Sequence, residues 1–326
     1  MSDRDAIVAA FAARAGWGDA DRLPLAGDAS NRRYLRLRRG AETAVLMDAP
    51  PERGEDVRPF VKIARHLCAL GLSAPAILAA QETDGLLLLE DLGDGLFARL
   101  APADPGIETA LYLAAAEALA AIQGAAPPTG LTRFTPDVMA DLARLVFDWY
   151  APLTPPSDAE DMTARLRDTL ARTAPEPTVL SLRDFHAENL LWLPERAGPA
   201  RVGLLDFQDA VVAHPAYDLV SLLNDARRDV AEVTRAATMR RFLDLTGHAE
   251  APFAAASAAL SVQRNLRILG VFARLAGRDG KTGYLRFLPR VWRLLLRDLD
   301  HPALGEVRDA ALRLLPPPEA ILQESA

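Results

Sequence analysis

Leu182-Arg183-Asp184-Phe185-His186-Ala187-Glu188-Asn189, followed at Leu205-Asp206-Phe207-Gln208-Asp209 by a second aspartate, is the stretch on which the fold turns. Between its two parts lie a short apolar run, Leu190-Leu191-Trp192-Leu193, the turn-forming Pro194-Glu195-Arg196-Ala197-Gly198-Pro199, and a second apolar run, Val202-Gly203-Leu204-Leu205. Two such runs around a compact turn predict an antiparallel hairpin. Asn189 enters its first strand where Asp206 leaves its second, so the two side chains can meet although 17 positions separate them. An amide carbonyl and a carboxylate are hard oxygen donors. Mg²⁺ takes a few such ligands and completes its shell with water and phosphate oxygens. Asp184 falls in the preceding loop, where it can orient a substrate hydroxyl and accept its proton. A capped loop beside a buried hairpin would use the same residues in turn hydrogen bonds. The combination of loop, hairpin and Asp-Phe-Gln favours phosphoryl transfer over that plainer alternative.

Composition agrees with an enzyme. The 326 residues, half of them hydrophobic, suffice for two lobes with cores of their own. Lys and Arg number 37 against 44 Asp and Glu, a net charge of −7, which argues against a nucleic-acid partner. The charge is uneven: Ser261–Asp300 holds eight arginines and one lysine against three aspartates. Most of these are expected on the solvated faces of amphipathic helices, some around an anionic substrate. Apolar runs are short or broken by charge, and Met1-Ser2-Asp3-Arg4-Asp5 is not followed by a signal-type core, so neither membrane nor export is expected. The single cysteine, Cys68, is expected as a buried, inert thiol, and the cytoplasm as the compartment.

The N-terminal part predicts strands. Gly27-Asp28-Ala29-Ser30-Asn31 is a turn cluster whose small residues would let backbone N–H groups approach phosphate, with Ser30, Asn31 and Arg32 as added donors; a simple hairpin turn would look the same. In Ala44-Val45-Leu46-Met47, Val45 and Met47 share one face. Leu86–Gly95 is a buried strand running into a turn. Helices are predicted over Ile107–Gln123, through Leu142–Tyr150 and from about Pro215, with Asn224–Arg228 following on the last. Trp149 suits the core, and Asp225 and Arg227 suit the solvated face of a helix. Gly280-Lys281-Thr282 lacks the first glycine of a P-loop, no Gly-x-Ser-x-Gly occurs, and the five histidines show no zinc spacing with Cys68.

The motifs, in this order, resemble the aminoglycoside phosphotransferase-like small-molecule kinases from about Leu23 to Leu296. Within that family Gly27–Tyr34, Val45–Pro51 and Arg264–Leu275 are most similar to the anomeric kinases of N-acetylmuramate and N-acetylglucosamine. The resemblance implies an α+β, two-lobed protein-kinase-like fold, with a small β-rich N-lobe over 1–91 that ends in a hinge and a mainly helical C-lobe over 92–326. It implies ATP and Mg²⁺, with Asp184 as base, Asn189 and Asp206 as metal ligands, and Ser30, Asn31, Arg32, Val45 and the backbone of Glu90 and Leu92 around the nucleotide. Asp218 would brace the loop, and Trp149, Asp225 and Arg227 would face the acceptor. The implied product is a sugar 1-phosphate in peptidoglycan recycling, made by an expected monomer acting on a small sugar. One departure stands out. The strand residue that is usually a phosphate-binding lysine is Met47, and the first lysine in the chain is Lys62. The sugar-kinase relatives also tend to lack that lysine, which favours an arginine such as Arg32 as its replacement. A choline, homoserine or aminoglycoside kinase, or a nucleotide-binding module without transfer activity, are the alternatives.

Overall fold

Alternation in Tyr34-Leu35-Arg36-Leu37 and Ala44-Val45-Leu46-Met47 gives each strand one row for a core and one for a site. A computed structural model describes residues 3–25 and 31–324. Helix α1 (Asp3–Arg14) leads into β1 (Asp21–Pro24), β2 (Arg33–Arg39) and β3 (Glu42–Asp48). Helix α2 (Arg58–Ala69), β4 (Ile77–Gln81) and β5 (Leu86–Glu90) follow. The five strands form one antiparallel sheet in the order β1-β2-β3-β5-β4. Leu37, Ala44, Leu46, Leu86 and Leu88 pack with Val8, Phe11 and Ala12 of α1 in one core. The opposite row of β2 and β3 pairs Tyr34 with Met47 and Arg36 with Val45.

Beyond the sheet come α3 (Phe97–Ala103) and α4 (Glu108–Gln123), the latter on the expected helix. Numbered along the chain, the rest are α5 (Pro136–Ala143), α6 (Leu145–Trp149), α7 (Pro156–Thr173), β6 (Val179–Ser181), β7 (Leu190–Trp192), β8 (Val202–Leu204) and β9 (Val211–Ala213). Then follow α8 (Ala216–Leu223), α9 (Glu232–Thr246), α10 (Glu250–Gly277), α11 (Leu288–Leu299), α12 (Gly305–Leu314) and α13 (Pro318–Glu324). The chain divides into two compact units, Met1–Ile122 with Ala187–Ala210, and Gln123–His186 with Val211–Ala326. The hairpin β7–β8 thus belongs with the sheet, while the Asp184 loop belongs with the helices.

The 28-residue helix α10 is the spine of the second unit. It buries Phe253, Leu260, Leu266 and Leu269. Gly270 lets it approach α6: a Cβ there would stand 2.5 Å from the carbonyl carbon and oxygen of Leu145, a space that only glycine leaves open.

Three expectations are corrected. The helix through Leu142–Tyr150 breaks at Arg144, which ends α5 and precedes α6. Asn224 closes α8, so Asp225 and Arg227 lie in the bend after the helix, where the backbone can turn their side chains inward. Cys68 is exposed, because α2 buries Phe60, Ile63, Ala64 and Leu67, and Cys68 falls on its flank in the last turn, where the thiol donates to the Ala74 carbonyl. Among the described residues no helix is long and apolar enough to cross a membrane.

Candidate active site

In the first unit β7 and β8 pair antiparallel, Leu190 opposite Leu204, which sets Asn189 opposite Leu205. The Leu205 N–H donates to the Asn189 carbonyl at 3.0 Å, so Asn189 and Asp206 are neighbours across the open end of the hairpin. Asp206 holds a left-handed backbone, φ 56°. For a residue with a Cβ that costs about 1–2 kcal/mol and persists only where the surroundings enforce it. Gln208 donates to Asp206 Oδ1 at 2.8 Å. The pair offers one carboxylate and one amide carbonyl, a donor set that suits Mg²⁺ completed by water and phosphate. Among the described residues no group of three His, Cys, Asp or Glu forms a self-sufficient metal site.

Arg32 reaches this corner from the sheet. Its guanidinium lies 3.1 Å from Glu55 and 3.9 Å from Asp206. Burial works against its charge, but Tyr34, Asp206 and Glu55 more than offset it and hold its pKa above the usual value. Asn31 donates its N–H to Glu55 and its amide to the Arg53 carbonyl. Ser30 and the rest of the turn from Gly27 lie outside the described residues. Met47 is buried at 1% exposure, on the row of β3 opposite the core that packs on α1. Val45 is half-buried and pairs with Arg36 and Leu89. At the end of β5 the Glu90 N–H is engaged by the Ala76 carbonyl at 2.8 Å, so a ligand contact from Glu90 rests on its carbonyl. The Glu90 side chain pairs with Arg196. Leu92 is buried, and its methyl lies 3.2 Å from where a Cβ on Gly203 would stand.

In the second unit the Asp184 loop is held by Asp218 on α8. Asp218 is fully buried and accepts from Ser181 Oγ at 2.7 Å, the Leu182 N–H at 2.6 Å and the Arg183 N–H at 3.0 Å. Burial pushes its carboxyl up to about 6, while those donors and the Arg264 charge pull the other way. Arg183 is, with Asp206, one of the two non-glycine residues with positive φ among the described residues, at 71°. Its carbonyl accepts from Arg264 Nη1 at 3.1 Å and Ser221 Oγ at 3.4 Å. Both ends of the strained peptide are therefore tied down just before Asp184.

Asp184 lines a cavity of about 230 Å³ whose wall is drawn wholly from this unit. Four arginines, 183, 227, 264 and 267, face it against two aspartates, 184 and 225. Arg264, Arg267, Ile268 and Val271 come from one face of α10, at the i, i+3, i+4, i+7 spacing of a helical stripe. Asp225 is buried at 3% exposure; its Oδ1 accepts the Arg227 N–H at 2.8 Å, and its Oδ2 has no partner. His186 is also buried, and Arg227 Nη1 lies 3.2 Å from its Nε2. Burial lowers the His186 pKa, so the ring is neutral at neutral pH and Nε2 accepts from the guanidinium.

The predicted residues thus fall into two sets. Asp184, Asp225 and Arg227 share the cavity of the second unit. Asn189, Asp206 and Arg32 gather at the hairpin corner of the first. Trp149 is in neither; its ring lies beside Gly277, 3.7 Å from a Cβ built there. Ser221 carries no signal in the sequence; Arg264 and Arg267 belong to the Ser261–Asp300 arginines, of which some were expected around an anionic substrate, but arginines on a long helix look like a solvated face and do not say which. The one available signal was that Arg264, Arg267, Ile268 and Val271 form a mixed stripe of their own beside the apolar one.

The solved GDP complex of aminoglycoside 2′-phosphotransferase-IIIa shares this fold, with a TM-score of 0.65 and 14% identity over 91% of this chain and 100% of that one. The architecture is the α+β, two-lobed protein-kinase-like fold, and with this site it defines a small-molecule kinase. The chain belongs to the APH phosphotransferase enzyme family, which matches residues 21–254. A protein of Caulobacter vibrioides named N-acetylmuramate/N-acetylglucosamine kinase is 42% identical over 350 residues, covering 94% of this chain and 95% of its own. A Pseudomonas aeruginosa protein of the same name is 36% identical over 295 residues, covering 86% of this chain and 85% of its own.

Proposed function

We propose that this protein transfers the γ-phosphoryl group of ATP to the anomeric hydroxyl of N-acetylmuramate or N-acetylglucosamine, giving the sugar 1-phosphate. The observation that carries the reading is Asp184, held by a braced loop over a cavity of the size and polarity of a monosaccharide site. The names of the two relatives supply the acceptor class.

Asp184 orients the anomeric hydroxyl and takes its proton as that oxygen bonds to the γ-phosphorus. The bond from phosphorus to the β,γ-bridging oxygen breaks, and ADP leaves. An anomeric hydroxyl is more acidic than an ordinary sugar alcohol, so positioning carries more of the rate than basicity. Asp225 Oδ2, buried without a partner, accepts from a sugar hydroxyl. Asn189 and Asp206 would hold Mg²⁺, which neutralises phosphate charge. Asn31, Arg32 and Val45, with the backbone at Glu90 and Leu92, contact the nucleotide, and the boundary between lobes falls after Asp91. Dependence on ATP and on sugars released from the cell wall places the enzyme in the cytoplasm, in peptidoglycan recycling.

Cationic acceptors such as choline or aminoglycosides fit the cavity poorly, since four arginines outnumber two aspartates. ADP release over a panel of N-acetylmuramate, N-acetylglucosamine, other sugars, choline and aminoglycosides tests the reading. Turnover should appear with a reducing amino sugar, be absent with its methyl glycoside, and vanish in Asp184→Asn. Turnover with the methyl glycoside would rule out the anomeric position, and none with either amino sugar would sink the proposal.

A further inference from the structure

One arginine of the cavity differs from the other three. Arg264 is committed to the Arg183 carbonyl, to Ser221 Oγ at 2.6 Å and to the face of Tyr217 at 4.8 Å. Arg227 is turned to His186, and Arg183 has its own partner. Arg267 lines the same cavity yet makes no hydrogen bond and no ion pair among the described residues. Burial works against its protonated form, and so do the charges of Arg183 and Arg264; Tyr217 and Asp184 favour it without offsetting the rest. A guanidinium that lines a half-buried cavity and makes no hydrogen bond has donors to offer an anion, which would restore the lost hydration through charge-assisted hydrogen bonds.

The proposed acceptors differ in one respect that bears on this. N-acetylmuramate carries a lactyl ether, and hence a carboxylate, two ring carbons from the anomeric centre; N-acetylglucosamine has a hydroxyl in its place. Asp184, the proposed base, and Arg267 are close enough to interact electrostatically. A sugar whose anomeric hydroxyl is at Asp184 has its substituent two carbons on inside the cavity that Arg267 also lines. Asp225 is the wrong sign for a carboxylate, and Arg264 and Arg227 would have to give up existing partners.

Resting on the acceptor reading above, we propose that Arg267 is the carboxylate-recognition residue, binding the lactyl group of N-acetylmuramate and setting the preference between the two sugars. The rival role for a cation here is contact with the transferring phosphoryl group, and the two roles predict different kinetics.

The experiment compares wild type with Arg267→Met and Arg267→Lys on N-acetylmuramate, its methyl ester and N-acetylglucosamine. No hydrogen-bond partner is orphaned by the replacement, and a thermal melt reports that each variant is folded. KM for N-acetylmuramate should rise on the order of tenfold to a hundredfold in Arg267→Met, with partial recovery in Arg267→Lys. KM for N-acetylglucosamine should stay within about twofold of wild type, well below the loss of one charged hydrogen bond, while any change in kcat that comes through Asp184 should be the same for both sugars. The methyl ester should give wild type and Arg267→Met the same KM. An equal rise in KM on both sugars, or none on either, overturns the assignment while leaving the sugar-kinase reading intact. Wild type that turns over neither sugar overturns that reading and this assignment with it.

Discussion

The backbone N–H of Arg183 donates to the buried Asp218 carboxylate at 3.0 Å, in a peptide whose φ of 71° a residue with a Cβ does not adopt unaided. That bond ties helix α8 to the residue preceding Asp184. Asp218→Asn leaves an amide nitrogen facing one of three donors, a mismatch worth about 1–3 kcal/mol, partly offset by removal of a buried charge. The expected outcome is a kcat at least about tenfold lower, as the loop relaxes, with a small change in melting temperature. A kcat within about twofold of wild type would show that the loop holds itself, since tenfold corresponds to only about 1.4 kcal/mol of barrier.

The same carboxyl sets an acid limit on activity. Its folded pKa, about 6, is above the unfolded value of 3.8, so its stabilising contribution is full below the unfolded value and is lost as pH rises through about 6. Function runs the other way, because only the ionised form accepts from all three donors. Wild-type kcat should fall as pH drops through about 6, and Asp218→Asn should lack that limb. A kcat profile identical in the two proteins would assign the limb to another group.

Acid stability should depend on His214. Its Nδ1 accepts the Ala216 N–H at 3.2 Å at the start of α8, which requires an unprotonated ring. Burial, with His248 nearby, lowers its pKa to about 4 from 6.5. Between those values the unfolded chain binds the proton and the folded one does not. Stability therefore rises with pH across this window, and up to about 3 kcal/mol is lost as pH falls from 6.5 to 4. His214→Asn keeps a capping acceptor without the titration. Denaturant melts at pH 7 and 4.5 should show a smaller acid loss in the variant; an equal loss would place the acid sensitivity elsewhere.

Close approach of α10 and α6 predicts a steric effect against helix propensity. Alanine is the better helix former by about 1 kcal/mol. At Gly270, however, the added methyl would meet Leu145 backbone at 2.5 Å and Val146 N at 2.7 Å. Gly270→Ala should destabilise by about 1–3 kcal/mol. Gly283→Ala, with nothing within 4 Å, should be neutral, and thermal melts of the pair separate packing from propensity. Equal melts would show that α6 yields freely.

The hairpin and the loop ahead of it were legible because their signals are local. Two apolar runs and a proline-glycine turn bring Asn189 beside Asp206 whatever the rest of the chain does. Asp225 and Arg227 could be named but not placed, since the end of α8 at Asn224 turns them into the cavity. That some arginines of Ser261–Asp300 face an anion site could be expected, but not that Arg264 and Arg267 are among those lining the cavity, for a tertiary reason. A helix face bearing arginines is the same string of letters whether it meets water or a cavity, and only the packing of α10 against its neighbours decides. The thiol of Cys68 fails in the opposite direction: the periodicity that buries Leu67 leaves the next residue on the rim.

In the proposed phosphoryl transfer from ATP, the nucleotide phosphates are held without the strand lysine. Met47 is buried and carries no charge to offer. Of the two arginines that β2 and its approach set in that row, Arg36 is taken by Asp91 and Asp94. Arg32 stands 3.9 Å from Asp206, a proposed metal ligand, and so beside any phosphate that shares the metal. Glu55, 3.1 Å away, fixes its direction. Arg32→Met should raise KM for ATP about tenfold to a hundredfold, the loss of a charge-assisted contact. KM for the sugar should be unaffected, and Arg32→Lys should recover part of the loss. Glu55→Gln should give a weaker effect of the same kind, because it loosens the guanidinium without removing it. If Arg32→Met lowers the melting temperature but leaves KM for ATP unchanged, Arg32 is a structural tie between Glu55 and Asp206, and the phosphates are held by other groups.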